Sequence, residues 1–76
     1  MKLVLLSGKE MSKFVQKLGF KKVHQVGSHA KYVHPDGRIT LVSMHGNEDI
    51  GPGLTNKIVK QLELSREEYN RLAKEL

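Results

Sequence analysis

The sequence predicts a small α+β domain in which helices cover one face of a three-stranded antiparallel sheet. Helical periodicity is confined to the two ends of the chain, before Gly19 and after Gly53. Between them lie three short runs suited to strands, separated by turns at Gly27-Ser28 and at 35–37. Turns this short join antiparallel neighbours, and the helices then form a second layer. The chain has 76 residues, and we expect positions 1–76 to form a single domain.

The first helix is predicted from Gly8 to Leu18. Ser7 and Glu10 stand three residues apart and form a capping box at its start. Apolar residues then recur at the spacing of one helical face, and Gly19 is a typical residue just beyond a helix end.

Three strands are predicted at 20–26, 29–34 and 38–44. Side chains alternate across a strand, so His29 and Lys31 share one face of the second strand while Tyr32 belongs to the other. We expect Tyr32 to anchor the core, which leaves His29 and Lys31 on the open face. The pattern of the third strand does not decide which of its faces is buried.

Two further helices complete the order α-βββ-α-α. The first of them has a predicted inner face of Leu54, Ile58, Val59 and Leu62. A second capping box begins at Ser65, and the last helix has an apolar stripe that comprises Tyr69, Leu72, Ala73 and Leu76.

The basic residues are concentrated in the first half of the chain. The net charge is +5, and residues 1–38 alone carry eight basic residues against two acidic ones. A polyanion is the natural partner of such a half, although a solvated basic surface without a ligand fits the composition as well. The candidate contacts to the phosphates of a nucleic acid are Lys9, Lys13, Lys17, Lys31 and Arg38.

Several kinds of site are not predicted. The chain has no cysteine, so it has neither a disulfide framework nor a thiolate metal site. His29 and His34 are five residues apart on one strand and point to opposite faces, which disfavours a shared metal ion. We therefore predict no metal and no cofactor. No apolar run approaches the roughly 20 residues that span a bilayer, and no signal sequence is evident, so a cytoplasmic protein is predicted.

His29 is the candidate for chemistry because it follows the Gly27-Ser28 turn on the open face. RNA carries its own nucleophile, the 2′-hydroxyl, beside each phosphodiester. A histidine can take or give the proton in that reaction while cations stabilise the phosphorane. A purely structural histidine remains the alternative.

Six short motifs resemble those of HicA-type toxins, the YcfA-like family of mRNA interferases. The similarity runs from about Leu3 to Tyr69. The motifs are Leu6-Ser7-Gly8-Lys9-Glu10, Leu18-Gly19-Phe20, Gly27-Ser28-His29, His34-Pro35-Asp36-Gly37-Arg38, His45-Gly46-Asn47 and Gly51-Pro52-Gly53.

The resemblance implies a fold similar to the double-stranded-RNA-binding domain, endoribonuclease cleavage of mRNA, and inhibition by a HicB-type antitoxin protein. The family's catalytic histidine follows Gly-Ser and falls on His29. Some members have a second histidine next to it, where this chain has Ala30. Two other functions stay open: an RNA-binding module without catalysis, and a protein-interaction subunit.

Overall fold

Six secondary-structure elements follow one another in the predicted order. The computed structural model describes residues 2–45 and 47–76, so Gly46 of the His-Gly-Asn motif lies outside the described residues. The elements are α1 (Gly8–Lys17), β1 (Lys21–Val26), β2 (His29–Val33), β3 (Ile39–Ser43), α2 (Pro52–Gln61) and α3 (Arg66–Lys74). This order confirms the predicted α+β class and is consistent with a fold like the double-stranded-RNA-binding domain.

The three strands form one antiparallel sheet in the order β1-β2-β3. β2 is central, and its first residue, His29, pairs with Val26 on one side and Ser43 on the other. β1 has an irregularity between Lys22 and His24 and is exposed along its whole length. The sheet core therefore lies on β2 and β3.

The buried face of the sheet is set by Ala30 and Tyr32 on β2 and by Thr40 and Val42 on β3, all of which are fully buried. Cross-strand partners project to the same side of a sheet. The pairing of Ala30 with Val42 and of Tyr32 with Thr40 therefore settles which face of β3 is buried. The prediction that Tyr32 anchors the core is confirmed.

Helix α1 begins at the predicted capping box. The Ser7 hydroxyl accepts a hydrogen bond from the Glu10 amide at 3.1 Å, and the Glu10 carboxylate accepts one from the Ser7 amide at 3.0 Å. The inner face of α1 contributes Met11, Phe14 and Val15 to the core. The remaining core residues are Leu6, Phe20, Ile50, Ile58, Val59, Leu62, Tyr69 and Ala73, together with those of the sheet.

The inner face of α2 differs from the prediction at one position. Leu54 is 38% exposed, whereas its neighbour Thr55 is fully buried and its hydroxyl donates to the Ile50 carbonyl at 3.2 Å. Thr55, Ile58 and Val59 are the buried residues of α2, and their spacing of three and four residues places them on one helical face. Thr55 is tolerated there because its polar group is satisfied.

The segment before α1 is held by α3. The Tyr69 hydroxyl donates to the Val4 carbonyl at 2.7 Å, and the Asn70 side chain accepts from the Val4 amide at 2.8 Å and donates to the Lys2 carbonyl at 2.9 Å. These bonds join the two ends of the chain. Within residues 2–45 and 47–76, no helix combines the length and the apolar content needed to cross a membrane.

Candidate active site

His29 projects from the open face of the sheet at the very start of β2. Gly27 has a φ of +56°, the left-handed conformation that glycine adopts at little cost, and this makes the tight reversal before the strand. Since Ala30 and Tyr32 occupy the buried face, strand alternation directs His29 and Lys31 to the opposite, open face of the sheet. The imidazole of His29 is exposed.

His29 lies at a groove between the open side of β3 and helix α2. The groove has a volume of about 290 Å³. Its lining residues are His29, Leu41, Ser43, Leu54, Lys57 and Gln61. The Gln61 side chain is held in place because its Oε1 accepts a hydrogen bond from the Thr40 hydroxyl at 2.7 Å. The groove thus places an imidazole and an ammonium group together on apolar walls.

A second histidine, His45, stands beside His29. The two ring centroids are 6.3 Å apart, and the ring planes meet at 86°. Within the described residues, neither imidazole makes a hydrogen bond or an ion pair. Both rings are therefore available to a ligand.

The backbone explains why two histidines so distant in sequence are neighbours. Antiparallel pairing places the start of β2 opposite the end of β3, with His29 facing Ser43. A further bond from the Met44 amide to the Ser28 carbonyl extends the pairing by one residue. His45 follows at once, and so it emerges next to the His29 turn.

The family model of the HicA toxin of bacterial toxin–antitoxin systems matches residues 8–64. The chain belongs to the HicA toxin family. The resemblance seen in its motifs is thereby confirmed. No curated protein matches the chain.

The family match covers both sides of the groove. It begins at Gly8 in α1 and ends after α2, so it includes His29, His45 and Lys57. His45 belongs to a motif that carried the HicA resemblance, but no local pattern indicates that it lies beside His29. Lys57 belongs to none of the six motifs, and its approach to His29 depends on where α2 packs.

The predicted RNA-contacting residues of this HicA toxin fall into three places. Lys31 lies on the same face as His29, two residues along β2, and is half-buried between His24 of β1 and Leu41 of β3. The three α1 lysines line a different surface depression together with Glu10 and Leu76. They lie on the helical layer, so the structure does not bring them to the His29 groove.

Arg38 is engaged within the protein at the other end of the sheet. Its guanidinium donates to the Leu62 carbonyl at 2.6 Å and to the Asp36 carboxylate at 2.8 Å, and it lies 5.2 Å from the centre of the Phe20 ring. The Arg38 amide and guanidinium hold the pKa of Asp36 below its usual range, and the charge of His34 adds to this. Arg38 therefore anchors a turn and caps the end of α2.

His34 belongs to that same structural cluster. Its Nδ1 lies 3.1 Å from the Asp36 amide, and its ring packs edge-on against Phe20 with centroids 5.1 Å apart. Its other edge lies against Gly19, where a Cβ would come within 2.9 Å of Nε2. No group of three or more His, Asp or Glu side chains suited to a metal ion occurs among the residues 2–45 and 47–76.

Proposed function

We propose that this HicA toxin is an endoribonuclease that cleaves mRNA through His29. The observation that carries the proposal is the exposed imidazole of His29, which makes no hydrogen bond or ion pair with the described residues and lies at a groove that Lys57 also lines. Membership of a toxin family supports it, and a fold of the double-stranded-RNA-binding type favours an RNA substrate.

The reaction requires only groups that RNA and the protein supply. His29 acts as general base or general acid. The 2′-oxygen loses its proton and bonds to phosphorus, the bond between phosphorus and the 5′-oxygen breaks, and the leaving oxygen takes a proton. The products are a 2′,3′-cyclic phosphate and a 5′-hydroxyl. No cofactor takes part.

Cations near His29 would stabilise the phosphorane. Lys57 lines the same groove, and Lys31 stands on the same sheet face. Roles for Lys9, Lys13 and Lys17 along the α1 surface, and for Arg38, stay predictions. They would act on more distant phosphates, which position the RNA.

The partner implied by the family is an antitoxin, and we propose that it is a HicB-type protein. It would cover the groove and the exposed apolar side chains around it, which include Leu41 and Leu54, at 50% and 38% exposure. Exposed apolar groups beside basic ones suit a protein partner with acidic side chains. Such a pair would act in the cytoplasm, where mRNA is found.

The test compares His29→Ala with His24→Ala in the purified chain. His24 is also an exposed strand histidine, but it lies on β1 and does not line the groove. Cleavage of an oligoribonucleotide should fall at least roughly 100-fold in His29→Ala and stay near wild type in His24→Ala. Circular dichroism checks that both variants fold.

Two results would contradict the proposal. Cleavage that survives in His29→Ala would remove this residue from the chemistry. RNA binding without any cleavage by the wild-type chain would instead support the binding-module alternative.

A further inference from the structure

We infer that His45 is the second acid–base residue of the site, so that His29 and His45 act as a pair on one phosphodiester. The inference rests on the proposed ribonuclease function. One imidazole removes the proton from the 2′-hydroxyl, and the other gives a proton to the 5′-oxygen that leaves.

The distance between the two rings suits two proton transfers at different oxygens. At 6.3 Å between centroids, the imidazoles are separate enough to hold different oxygens. Hydrogen bonds of about 2.7–3.0 Å from each ring reach both oxygens of a phosphodiester placed against the pair. The ring planes meet at 86°, so the two imidazoles are not stacked face to face.

The two other histidines, His24 and His34, do not meet the requirements for pairing with His29. The imidazole of His34 is committed to Asp36, Phe20 and Gly19. His24 lies on β1 opposite Lys31 and has no ring contact with His29. Only His45 combines exposure, an uncommitted ring and contact with His29 within residues 2–45 and 47–76.

The residue next to His29 in sequence is not placed for this role. Ala30 is fully buried on the helical side of the sheet. A side chain at position 30 therefore cannot share the open face with His29. The partner has to come from another segment, and the segment that follows β3 supplies it.

The charges balance through the step. One imidazole starts neutral and ends protonated, while the other starts protonated and ends neutral. Both rings are exposed, so exchange with water restores the starting state. The charged and titratable groups on the neighbouring elements are Lys57 across the groove, Lys31 along β2, and His24, which pairs with Lys31 from β1.

The experiment measures kcat/KM against pH for the wild type, His45→Gln, His29→Gln and the control His24→Gln. An acid and a base acting together give a bell-shaped profile. We expect His45→Gln to lose at least roughly 100-fold in rate and one limb of the bell. His24→Gln should keep both the rate and the shape.

A second substrate separates the acid from the base. Replacing the bridging 5′-oxygen with sulfur gives a leaving group that departs without a proton. The variant that lacks the general acid should recover most of its rate on this substrate, and the variant that lacks the base should not. His45→Asn serves as a second variant should His45→Gln fail to fold.

Failure of the inference is distinct from failure of the proposed function. If His29→Gln is inactive while His45→Gln cleaves like His24→Gln, only the pairing is overturned. A His45 variant that loses rate but keeps the bell shape has a structural role, which also overturns it. If the wild type does not cleave RNA, or if His29→Gln cleaves RNA normally, the proposed function itself is contradicted.

Discussion

Gly8 packs directly against the backbone of Ser43. A Cβ at position 8 would overlap the Ser43 carbonyl oxygen and would lie 3.0 Å from the Cα of Met44. Ser43 pairs with His29 and lines the groove. The first turn of α1 therefore supports the end of the sheet from which both candidate catalytic histidines project.

Gly8→Ala should destabilise the fold by roughly 1–3 kcal/mol because the added methyl group forces α1 away from β3. The matched control is Gly53→Ala in the first turn of α2, where a Cβ meets nothing within 4 Å. That control should be neutral or stabilising by up to about 1 kcal/mol. Urea unfolding measures the free energy of unfolding of both variants. Equal stabilities would contradict the close packing of Gly8.

Arg38→Ala should lower the free energy of unfolding by roughly 1.5–3 kcal/mol. The substitution removes a charged donor from the half-buried Leu62 carbonyl and the cation from the Phe20 ring. Arg38→Lys keeps the charge but cannot make these contacts in one geometry, so most of the loss should persist. Thermal unfolding measures both. A wild-type Tm in Arg38→Lys would show that charge alone matters.

Asp36→Asn should destabilise the protein at neutral pH and progressively less in acid. The folded-state pKa of Asp36 lies below 3.8, so the ionised form stabilises the fold above that pH. This stabilisation is lost as the pH falls through 3.8 towards the folded pKa. The Tm difference between the variant and the wild type should therefore shrink below about pH 4. A Tm difference that stays constant from pH 2.5 to 7 would contradict a stabilising role of the ionised Asp36.

Tyr69→Phe should cost about 1 kcal/mol at neutral pH because the hydroxyl bond to the Val4 carbonyl is lost. Burial raises the pKa of Tyr69 from 10.0 to about 12. The unfolded chain therefore ionises first, and this contribution to stability disappears as the pH rises from 10 through 12. Denaturant titrations at pH 8 and pH 11 should show the gap between the two proteins closing. An unchanged gap would place the hydroxyl in water.

Lys57→Ala should reduce RNA cleavage roughly 10- to 100-fold, since its ammonium group faces the groove with His29. The salt dependence of RNA binding should fall by roughly 0.7 in logarithmic slope. Lys60→Ala on the same helix is the control, because Lys60 does not line the groove. Equal effects of the two substitutions would indicate general attraction of RNA to a basic surface.

Local patterns were sufficient to predict most of the architecture. The capping residue Ser7 marks the start of α1, and the glycine turn at Gly27 marks the start of β2. These signals act between residues a few positions apart, so they can be read from the chain. Leu54 is an exception. The apolar pattern predicts it on the inner face of α2, but the buried residue is Thr55, whose hydroxyl donates to the Ile50 carbonyl in the preceding loop.

The sequence by itself determined the class of fold, the position of His29 on the open strand face and the motifs of the HicA family. Each depends on turn chemistry or on alternation along one strand. Only the tertiary structure decided that His45 and Lys57 join His29, and that Arg38 is held within the protein. These relationships link residues 16 to 28 positions apart. They follow from strand register and helix packing, which no local pattern encodes.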